Sequence, residues 1–421
     1  MSRVLRIVGI ASLLVMSSAV AGIGPAGAAA APTITSTAAP TTHSGCSRLS
    51  NGTVECSGLN ESGQLGNGTT ITTLSPTMVS NLSGTGPLTA VAQVVTGNFF
   101  ACARLTSGGV DCWGSNAYGQ LGDGTTTLRT LPVAVKNAAG SAPLTGVAQI
   151  AAGKYNTCAR LTNGQVDCWG HNGYYELGDG TNIDHFLPHP VLNGAGHAPL
   201  AGQINISVGQ YDTCSVQSDG SARCWGLNRF GVLGDATQQF RPLPVRVKAV
   251  TGTGFLANVT NIVTSPDHTC ALIKTGTMDC WGLNNFGQLG DGTTTTRTRP
   301  VVVKNVLGNA ALIHVSAITV GGGSSGDHTC ARLVAQTALC WGGNFFGQLG
   351  DGTRTDRHRP VIVKATTGAG PLTAIAGIVA GPVATCATLT NGHAKCWGFN
   401  QAGQFGNGQA HNATRPVPAA P

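Results

Sequence analysis

Apolar and polar positions along the chain form short runs that repeat, and the third copy shows the pattern most clearly. It consists of residues 147–153 (VAQIAAG), residues 157–161 (TCARL), a Thr-Asn-Gly segment at 162–164, and residues 166–170 (VDCWG). Short runs that are rich in apolar and β-branched side chains, bounded by Gly or Asn-Gly, are typical of strands. The copy therefore predicts two strands, a tight turn and a third strand.

The Thr-Asn-Gly segment fits a hairpin with a three-residue loop, whose last residue often has a positive φ. Glycine adopts a positive φ without the steric penalty of a Cβ atom, and Gly164 lies at this position. The same offset in the other copies gives glycine five times and glutamine once: Gly52, Gly108, Gly220, Gly276, Gly392 and Gln336.

A fourth strand is predicted after each hairpin, beyond a glycine-rich link. In the second copy the link is residues 119–125 (GQLGDGT) and the strand is residues 132–136 (PVAVK), where the leading proline suits an outer strand with a free edge. Four-stranded antiparallel units repeated around an axis form a propeller. We therefore predict an all-β fold, a seven-bladed β-propeller, over residues 32–421. Only six first strands lie between consecutive hairpins, so we expect residues 32–40 to complete the blade that holds the C-terminal strand and to close the ring.

The cysteines mark the repeat. First cysteines of successive pairs are 56 residues apart, except for one interval of 60. Opposed cysteines at a non-hydrogen-bonded pair of an antiparallel hairpin come close enough to bond. We predict a disulfide within each hairpin, with reduced cysteines or pairing between repeats as the alternatives. The predicted pairs are Cys46 with Cys56, Cys102 with Cys112, Cys158 with Cys168, Cys214 with Cys224, Cys270 with Cys280, Cys330 with Cys340, and Cys386 with Cys396.

The first 31 residues have the order of a secretory signal peptide. Arg3 and Arg6 precede an apolar run, and small residues follow around Ala29. Export to an oxidising compartment agrees with paired cysteines. We expect a secreted, monomeric protein without a membrane span. The remaining residues carry 22 basic and 17 acidic side chains, a net charge of +5, which permits only weak contact with anionic polymers.

Trp-Gly closes six of the hairpins, and an asparagine and a Gly-Gln-Leu-Gly segment follow it, as in residues 281–290 (WGLNNFGQLG). This pattern resembles the regulator of chromosome condensation (RCC1) repeat over residues 43–418, in the manner of a secreted bacterial member. The resemblance implies a seven-bladed propeller. The family includes a guanine-nucleotide exchange factor, a plant photoreceptor and secreted bacterial inhibitors of β-lactamase. Exchange activity is not expected of an exported chain. Two of the family's His-Thr positions are present, as His268-Thr269 and His328-Thr329.

Residues that vary between copies are the candidates for binding a partner. Equivalent turns of a propeller gather on one face, and aromatic side chains there suit a protein partner. Loops without a specific ligand are the alternative. The candidates are Phe99, Phe100, Lys154, Tyr155, Gln210 and Tyr211. The aromatic position that recurs after Trp-Gly, occupied by Tyr118, Tyr174, Phe230, Phe286 and Phe346, is interpreted as packing.

No catalytic residues, cofactor or metal site are predicted. No phosphate loop or nucleophile motif is present. His185, His189 and His197 are close in sequence, but Pro188 and Pro190 prevent the helical spacing that would align the first two. Aspartates before Gly-Thr are interpreted as turn residues. A surface-polymer receptor or an enzyme that uses the central funnel remains the alternative function, with a local basic patch at Arg297, Arg299, Arg354, Arg357, His358 and Arg359.

Overall fold

The computed structural model describes residues 32–41, 43–323 and 326–419. Within them, seven four-stranded antiparallel sheets follow one another along the chain. The predicted seven-bladed β-propeller is therefore confirmed. The predicted signal peptide lies outside the described residues. Among the residues that are described, no helix has the length and apolar character needed to cross a membrane.

Each blade is built from four consecutive strands. Blade 1 contains β1 (Ile34–Thr37), β2 (Ser44–Leu49), β3 (Val54–Gly58) and β4 (Thr73–Met78). Blade 2 contains β5 (Val91–Thr96), β6 (Phe100–Leu105), β7 (Val110–Gly114) and β8 (Arg129–Ala134). Blade 3 contains β9 (Val147–Ala152), β10 (Asn156–Leu161), β11 (Val166–Gly170) and β12 (His185–Pro190). Blade 4 contains β13 (Gln203–Val208), β14 (Asp212–Gln217), β15 (Ala222–Gly226) and β16 (Arg241–Arg246), with a 3₁₀ turn at Arg229–Gly231.

The last three blades have the same order. Blade 5 contains β17 (Val259–Thr264), β18 (His268–Ile273), β19 (Met278–Gly282) and β20 (Arg297–Val302). Blade 6 contains β21 (Val315–Gly321), β22 (His328–Leu333), β23 (Ala338–Gly342) and β24 (Arg357–Ile362). Blade 7 contains β25 (Ile375–Ala380), β26 (Ala384–Leu389), β27 (Ala394–Gly398) and β28 (Ala413–Ala419).

The central hairpins have the predicted register. Cys158 lies opposite Cys168, and Leu161 N donates to Gln165 O at 2.8 Å. Gly164 has a φ of 80°, and Gln336 adopts a φ of 58° at the equivalent position of blade 6.

The structure joins the two cysteines of every hairpin by a disulfide, and the Cα atoms of each pair are 4.1 Å apart. The bonds are Cys46 to Cys56, Cys102 to Cys112, Cys158 to Cys168, Cys214 to Cys224, Cys270 to Cys280, Cys330 to Cys340, and Cys386 to Cys396.

The cysteines are buried and are not exposed to a partner. Five third-strand cysteines are fully buried, namely Cys112, Cys168, Cys224, Cys280 and Cys340. Packing between blades explains their burial, because the cysteine side chains point out of the sheet towards a neighbouring blade, as Cys168 does where it packs in one cluster with Trp225 of blade 4. The cysteines are therefore part of the framework and offer no surface to a partner.

The core lies between neighbouring blades and is centred on the tryptophans. All six are fully buried, and each indole Nε1 donates to a backbone carbonyl of the preceding blade, as Trp169 does to Gln120 O at 2.9 Å. In most of these blades a threonine hydroxyl donates to the same carbonyl, as Thr157 does at 3.0 Å. The first strands lie nearest the axis and contact one another, for example through Gln149 Nε2 and Ile206 O at 3.0 Å.

His268 and His328 belong to the same contacts between blades. His268 Nε2 lies 2.8 Å from Thr329 Oγ1 of blade 6, and His328 Nε2 lies 2.8 Å from Thr385 Oγ1 of blade 7. Both imidazoles are fully buried, and burial lowers the pKa of each to about 3. The two histidines are therefore neutral and hold adjacent blades together.

The prediction about ring closure was wrong in one respect. β1 pairs with β2 and completes blade 1, whereas β28 completes blade 7. The first and last blades are thus each built from one continuous segment of the chain. β1 reaches β2 through a short link and pairs with it as an antiparallel neighbour. Blades 1 and 7 meet instead by packing. Ile34 N donates to Gly392 O at 2.9 Å, and the Ile34 side chain packs against Ala394.

Candidate functional site

Two sets of loops open on the same face of the propeller, because the second strand of each blade begins there and the third strand ends there. The short loop between the first and second strands lies beside the longer loop between the third and fourth. In blade 3 the two are joined by a hydrogen bond from His171 N to Tyr155 O at 3.0 Å. We call this side the loop face. It carries the residues that the sequence proposed for partner binding, except Phe100.

All five tyrosines of the sequence lie on the loop face of blades 2, 3 and 4. Their rings form a connected group. The centroids of Tyr118 and Tyr155 are 5.1 Å apart, those of Tyr174 and Tyr211 are 4.6 Å apart, and the His171 ring lies 4.9 Å from Tyr118 and 6.1 Å from Tyr174. We define the tyrosine surface as Tyr118, Lys154, Tyr155, His171, Tyr174, Tyr175, Tyr211 and Phe240.

A lysine and a histidine lie among these rings. Lys154 Nζ is 5.1 Å from the centroid of Tyr155 and 5.9 Å from that of Tyr211, within the range of a cation–π contact. His171 Nδ1 lies 2.5 Å from Glu176 Oε1. This hydrogen bond raises the pKa of His171, and burial raises the pKa of Glu176. The tyrosine surface therefore combines aromatic area with the charge of Lys154 and with the His171–Glu176 pair.

The His171–Glu176 pair exists because the sequence of blade 3 departs from the repeat at both positions. Glu176 occupies the position that is Gln120 in blade 2 and Gln288 in blade 5. The side chain keeps the local role of that glutamine, because Glu176 Oε2 accepts from Tyr174 N at 2.7 Å as Gln120 Oε1 accepts from Tyr118 N at 2.9 Å. Its second oxygen is left to bind His171, which orients the imidazole at the centre of the tyrosine surface.

Five of the six predicted partner-binding residues are half-buried on the loop face, and the sixth, Phe100, is in the core. Lys154, Tyr155, Gln210 and Tyr211 are half-buried, as is Phe99, whose ring lies 4.0 Å from that of His43.

Phe100 does not fit the prediction. It is 1% exposed and packs in the core between blades 2 and 3 with Cys102 and Trp169, so it cannot contact a partner. The reason is strand alternation: Phe100 begins β6 and points to the opposite side from the loop residue before it.

Sequence reasoning missed Tyr118 and Tyr174, because it assigned their recurring position to packing. Tyr174 is 39% exposed, and both rings join the tyrosine surface. The available indication was local: the segment HNGYYELG at residues 171–178 departs from the repeat at His171, Tyr175 and Glu176.

A second aromatic group lies on the loop face of blades 5, 6 and 7. The rings of Phe345 and Phe346 are 4.8 Å apart, and Phe346 lies 5.0 Å from Phe399. Phe345 and Phe346, together with Phe286 of blade 5, border an open cavity of about 470 Å³, which is also lined by Arg354 and Asp356. Phe345 is 67% exposed.

The predicted basic patch is partly neutralised. Arg297 pairs with Asp291 at 3.2 Å, and Arg357 pairs with Asp351 at 2.8 Å. The Arg359 guanidinium donates to Leu307 O at 2.9 Å. The aspartates have the predicted turn role as well, since each accepts a backbone hydrogen bond from the threonine two residues later.

Blade 3 has a different arrangement around its turn aspartate. His185 Nε2 lies 2.7 Å from Asp179 Oδ2, and His189 Nδ1 lies 3.9 Å from the same oxygen. The two imidazole rings stack with centroids 4.2 Å apart. Hydrogen bonds from His185 and Thr181 lower the pKa of Asp179 to about 2 despite its burial, and burial lowers the pKa of His189.

Profiles described as the regulator of chromosome condensation (RCC1) repeat match more than half of the chain. They cover residues 51–104, 107–160, 219–272 and 276–331, and a second profile of the same description covers residues 91–120, 147–176 and 259–288. The chain belongs to the RCC1 repeat family. The expected family resemblance is therefore confirmed.

Among curated relatives, the ultraviolet-B receptor UVR8 of Arabidopsis thaliana is 28% identical over 73% of this chain and 64% of its own length. The human E3 ubiquitin-protein ligase HERC2 is 26% identical over 68% of this chain and 6% of its own length. This chain thus matches less than two thirds of either relative. Both are eukaryotic and do not show the bacterial type that the sequence analysis expected.

Solved structures show the same fold. Human WBSCR16 superposes with a TM-score of 0.68 at 17% identity and covers 86% of this chain and 92% of its own. Prp20p from Saccharomyces cerevisiae, in a structure described with its binding properties to Gsp1p and histones, has a TM-score of 0.68 at 19% identity and covers 93% of this chain and 88% of its own.

Proposed function

We propose that this RCC1-repeat chain is an extracellular protein-binding scaffold and that it binds its partner through the tyrosine surface. One observation carries the proposal: every tyrosine of the chain lies in one connected group on the loop face of three consecutive blades. Tyrosine supplies a large contact area with few rotatable bonds and a hydroxyl for hydrogen bonding, which is why binding surfaces are rich in it.

The charge of the surface indicates the chemistry of the partner. Lys154 lies over Tyr155 and Tyr211, and the raised pKa of His171 favours its protonated form. A partner that places an acidic side chain or backbone carbonyls above these rings would gain charge-assisted hydrogen bonds. We therefore propose a partner with an acidic, apolar-edged epitope.

An extracellular location is supported by the seven hairpin disulfides, since such bonds persist in oxidising compartments. The disulfides also stiffen each blade, and a rigid surface loses little conformational entropy on binding. In its sharpest form, the proposal is that the partner is an extracellular or periplasmic enzyme that the propeller inhibits.

The test is affinity capture from the surrounding secretome and cell envelope with purified protein, followed by affinity measurement with the captured partner. The triple variant Tyr155→Ala/Tyr174→Ala/Tyr211→Ala is expected to weaken binding at least about 100-fold, because hot-spot tyrosines contribute about 2 kcal/mol or more each. Phe345→Ala is the matched control, an exposed aromatic residue on the same face outside the tyrosine surface. Equal affinity of the wild type and the triple variant contradicts the proposal.

The phenylalanine-bordered cavity supports a second candidate, a receptor for a surface carbohydrate. Aromatic rings together with Arg354 and Asp356 offer a sugar both stacking area and charged hydrogen-bonding groups. Here Phe345→Ala is expected to abolish binding on a glycan array, and the tyrosine triple variant is the control. Guanine-nucleotide exchange is not proposed, because the likeness to Prp20p shows the fold alone.

A further inference from the structure

We propose that Asp179, His185 and His189 form a binding site for one divalent zinc ion at the outer edge of blade 3. The side-chain ligand atoms, one from each residue, all lie within 4.8 Å of one another. Ligands of a tetrahedral zinc ion at 2.0–2.2 Å are about 3.4 Å apart from one another. The present separations of 2.7 Å and 3.9 Å from Asp179 Oδ2 bracket that spacing.

Two substitutions relative to the other blades create the cluster. The residue that pairs with the turn aspartate is arginine in blades 2, 4, 5 and 6, as in the Arg241–Asp235 pair of blade 4, and histidine in blade 3. Four residues later, the other blades have valine or threonine where blade 3 has His189. His185, which replaces the arginine, still provides a hydrogen-bond partner for the Asp179 carboxylate. His189 does not replace an arginine, and its Nδ1 atom lies 3.9 Å from Asp179 Oδ2, beyond hydrogen-bonding distance.

The unpaired Nδ1 atom of His189 is the main indication of a metal ligand. Its Nδ1 atom is buried but makes no hydrogen bond within the described part of the chain, although it faces Asp179 Oδ2. An unpaired buried nitrogen is unfavourable by about 1–3 kcal/mol. A zinc ion between His189 Nδ1 and Asp179 would satisfy it.

Local backbone geometry explains how residues four apart on a strand reach one another. His185 lies opposite Gly170 and His189 lies opposite Cys168, so β12 advances by four residues where β11 advances by two. This β-bulge brings the histidines together, and their rings stack with planes only 10° apart. Because the nitrogen lone pairs lie in the ring planes, binding of one ion by both residues requires one imidazole to rotate about its Cβ–Cγ bond. The prolines that prevent helical spacing are no obstacle to this arrangement.

The surroundings suit a metal ion that is accessible from solvent. Asp179 Oδ1 is held by Thr181 N at 2.9 Å and by Asn172 Nδ2 at 3.2 Å. Asp179 Oδ2 accepts from the Thr181 hydroxyl at 2.9 Å and is directed at the histidines. The His185 and His189 side chains are 25% and 44% exposed. Two imidazoles and one carboxylate favour zinc over calcium or magnesium, which prefer oxygen ligands. Three protein ligands leave a fourth position for water or for a group of a bound partner.

The experiment uses full-length mature protein without an affinity tag, treated with a chelator and then titrated with Zn²⁺ against a chromogenic competitor. One ion per chain is expected. His189→Val and His185→Arg introduce the residues of blades 2, 4, 5 and 6, so both variants should fold, and circular dichroism checks this. Each is expected to weaken Zn²⁺ binding at least about 100-fold, since loss of even an indirect partner of a ligand weakens binding by about 10–100-fold.

His197→Ala, which removes a histidine of the same segment outside the cluster, is the matched control and should bind Zn²⁺ as the wild type does. Histidine proton resonances of the wild type give a readout that needs no variant: one equivalent of Zn²⁺ should shift those of His185 and His189 but not that of His197. Absence of binding by the wild type at micromolar Zn²⁺, or unchanged binding by the double variant His185→Arg/His189→Val, overturns the proposal.

Discussion

Replacing tryptophan by phenylalanine in two neighbouring blades should have unequal effects on stability. Trp113 and Trp169 are both fully buried, and each donates through Nε1 to a carbonyl of the preceding blade, Gln64 O at 3.0 Å and Gln120 O at 2.9 Å. In blade 3 the acceptor has a second donor, Thr157 Oγ1 at 3.0 Å. Ala101 occupies the equivalent position in blade 2, and Gln64 O accepts no other hydrogen bond within the described residues.

The magnitude follows from these partners. Both substitutions remove the same part of an indole ring, so the packing loss is shared. Trp169→Phe also removes one hydrogen bond, worth about 0.5–1.5 kcal/mol, while Thr157 continues to satisfy the carbonyl. Trp113→Phe leaves Gln64 O buried without a partner, at about 1–3 kcal/mol. We therefore expect Trp113→Phe to lower the free energy of unfolding by about 0.5–1.5 kcal/mol more than Trp169→Phe does.

The assay is equilibrium unfolding in guanidinium chloride without reductant, comparing midpoints between variants that have the same denaturant dependence. Introducing Ala101→Thr supplies the missing hydroxyl and should reduce the effect of Trp113→Phe to that of Trp169→Phe. Equal destabilisation by the two tryptophan variants, or no rescue by Ala101→Thr, would show that the second donor to the carbonyl does not cause the difference in stability.

Three further outcomes are expected. Peptide mass mapping without reduction should join Cys158 to Cys168, and links between repeats would contradict the hairpin assignment. Deletion of residues 32–40 should lower the melting temperature, because it removes a strand of blade 1 and its contact with blade 7; a deletion that ends at residue 31 is the control, and unchanged melting would show that closure lies elsewhere. Burial raises the pKa of Asp327 to about 8, above the ordinary value of about 4, so the folded state binds more protons between these values and stability should fall as pH rises from about 4 to about 8. Asp327→Asn should flatten this dependence, and an unchanged slope in denaturation measurements across that range would count against it.

Much of the candidate site depended on contacts that no local pattern reveals. Tyr155 and Tyr211 were proposed from their loops, whereas Tyr118 and Tyr174 were assigned to packing because they occupy a recurring position; only the structure brings the four rings together. Phe100 was placed on the surface because it follows Phe99, although strand alternation turns its ring into the core. His185 and His189 were judged by helical spacing, whereas a β-bulge brings them together.

Elements that depend on neighbours along the chain could be predicted from the residues alone. Cysteine spacing, the turn at Gly164 and the strand pattern act within one hairpin, and their recurrence set the number of blades. Tertiary structure alone decided which blade receives β1, which loops meet on one face and which side chains the blades bury. These outcomes depend on contacts between residues about one repeat apart, such as Trp169 with Gln120, and a repeated local pattern specifies the unit without specifying how its variable residues meet across blades.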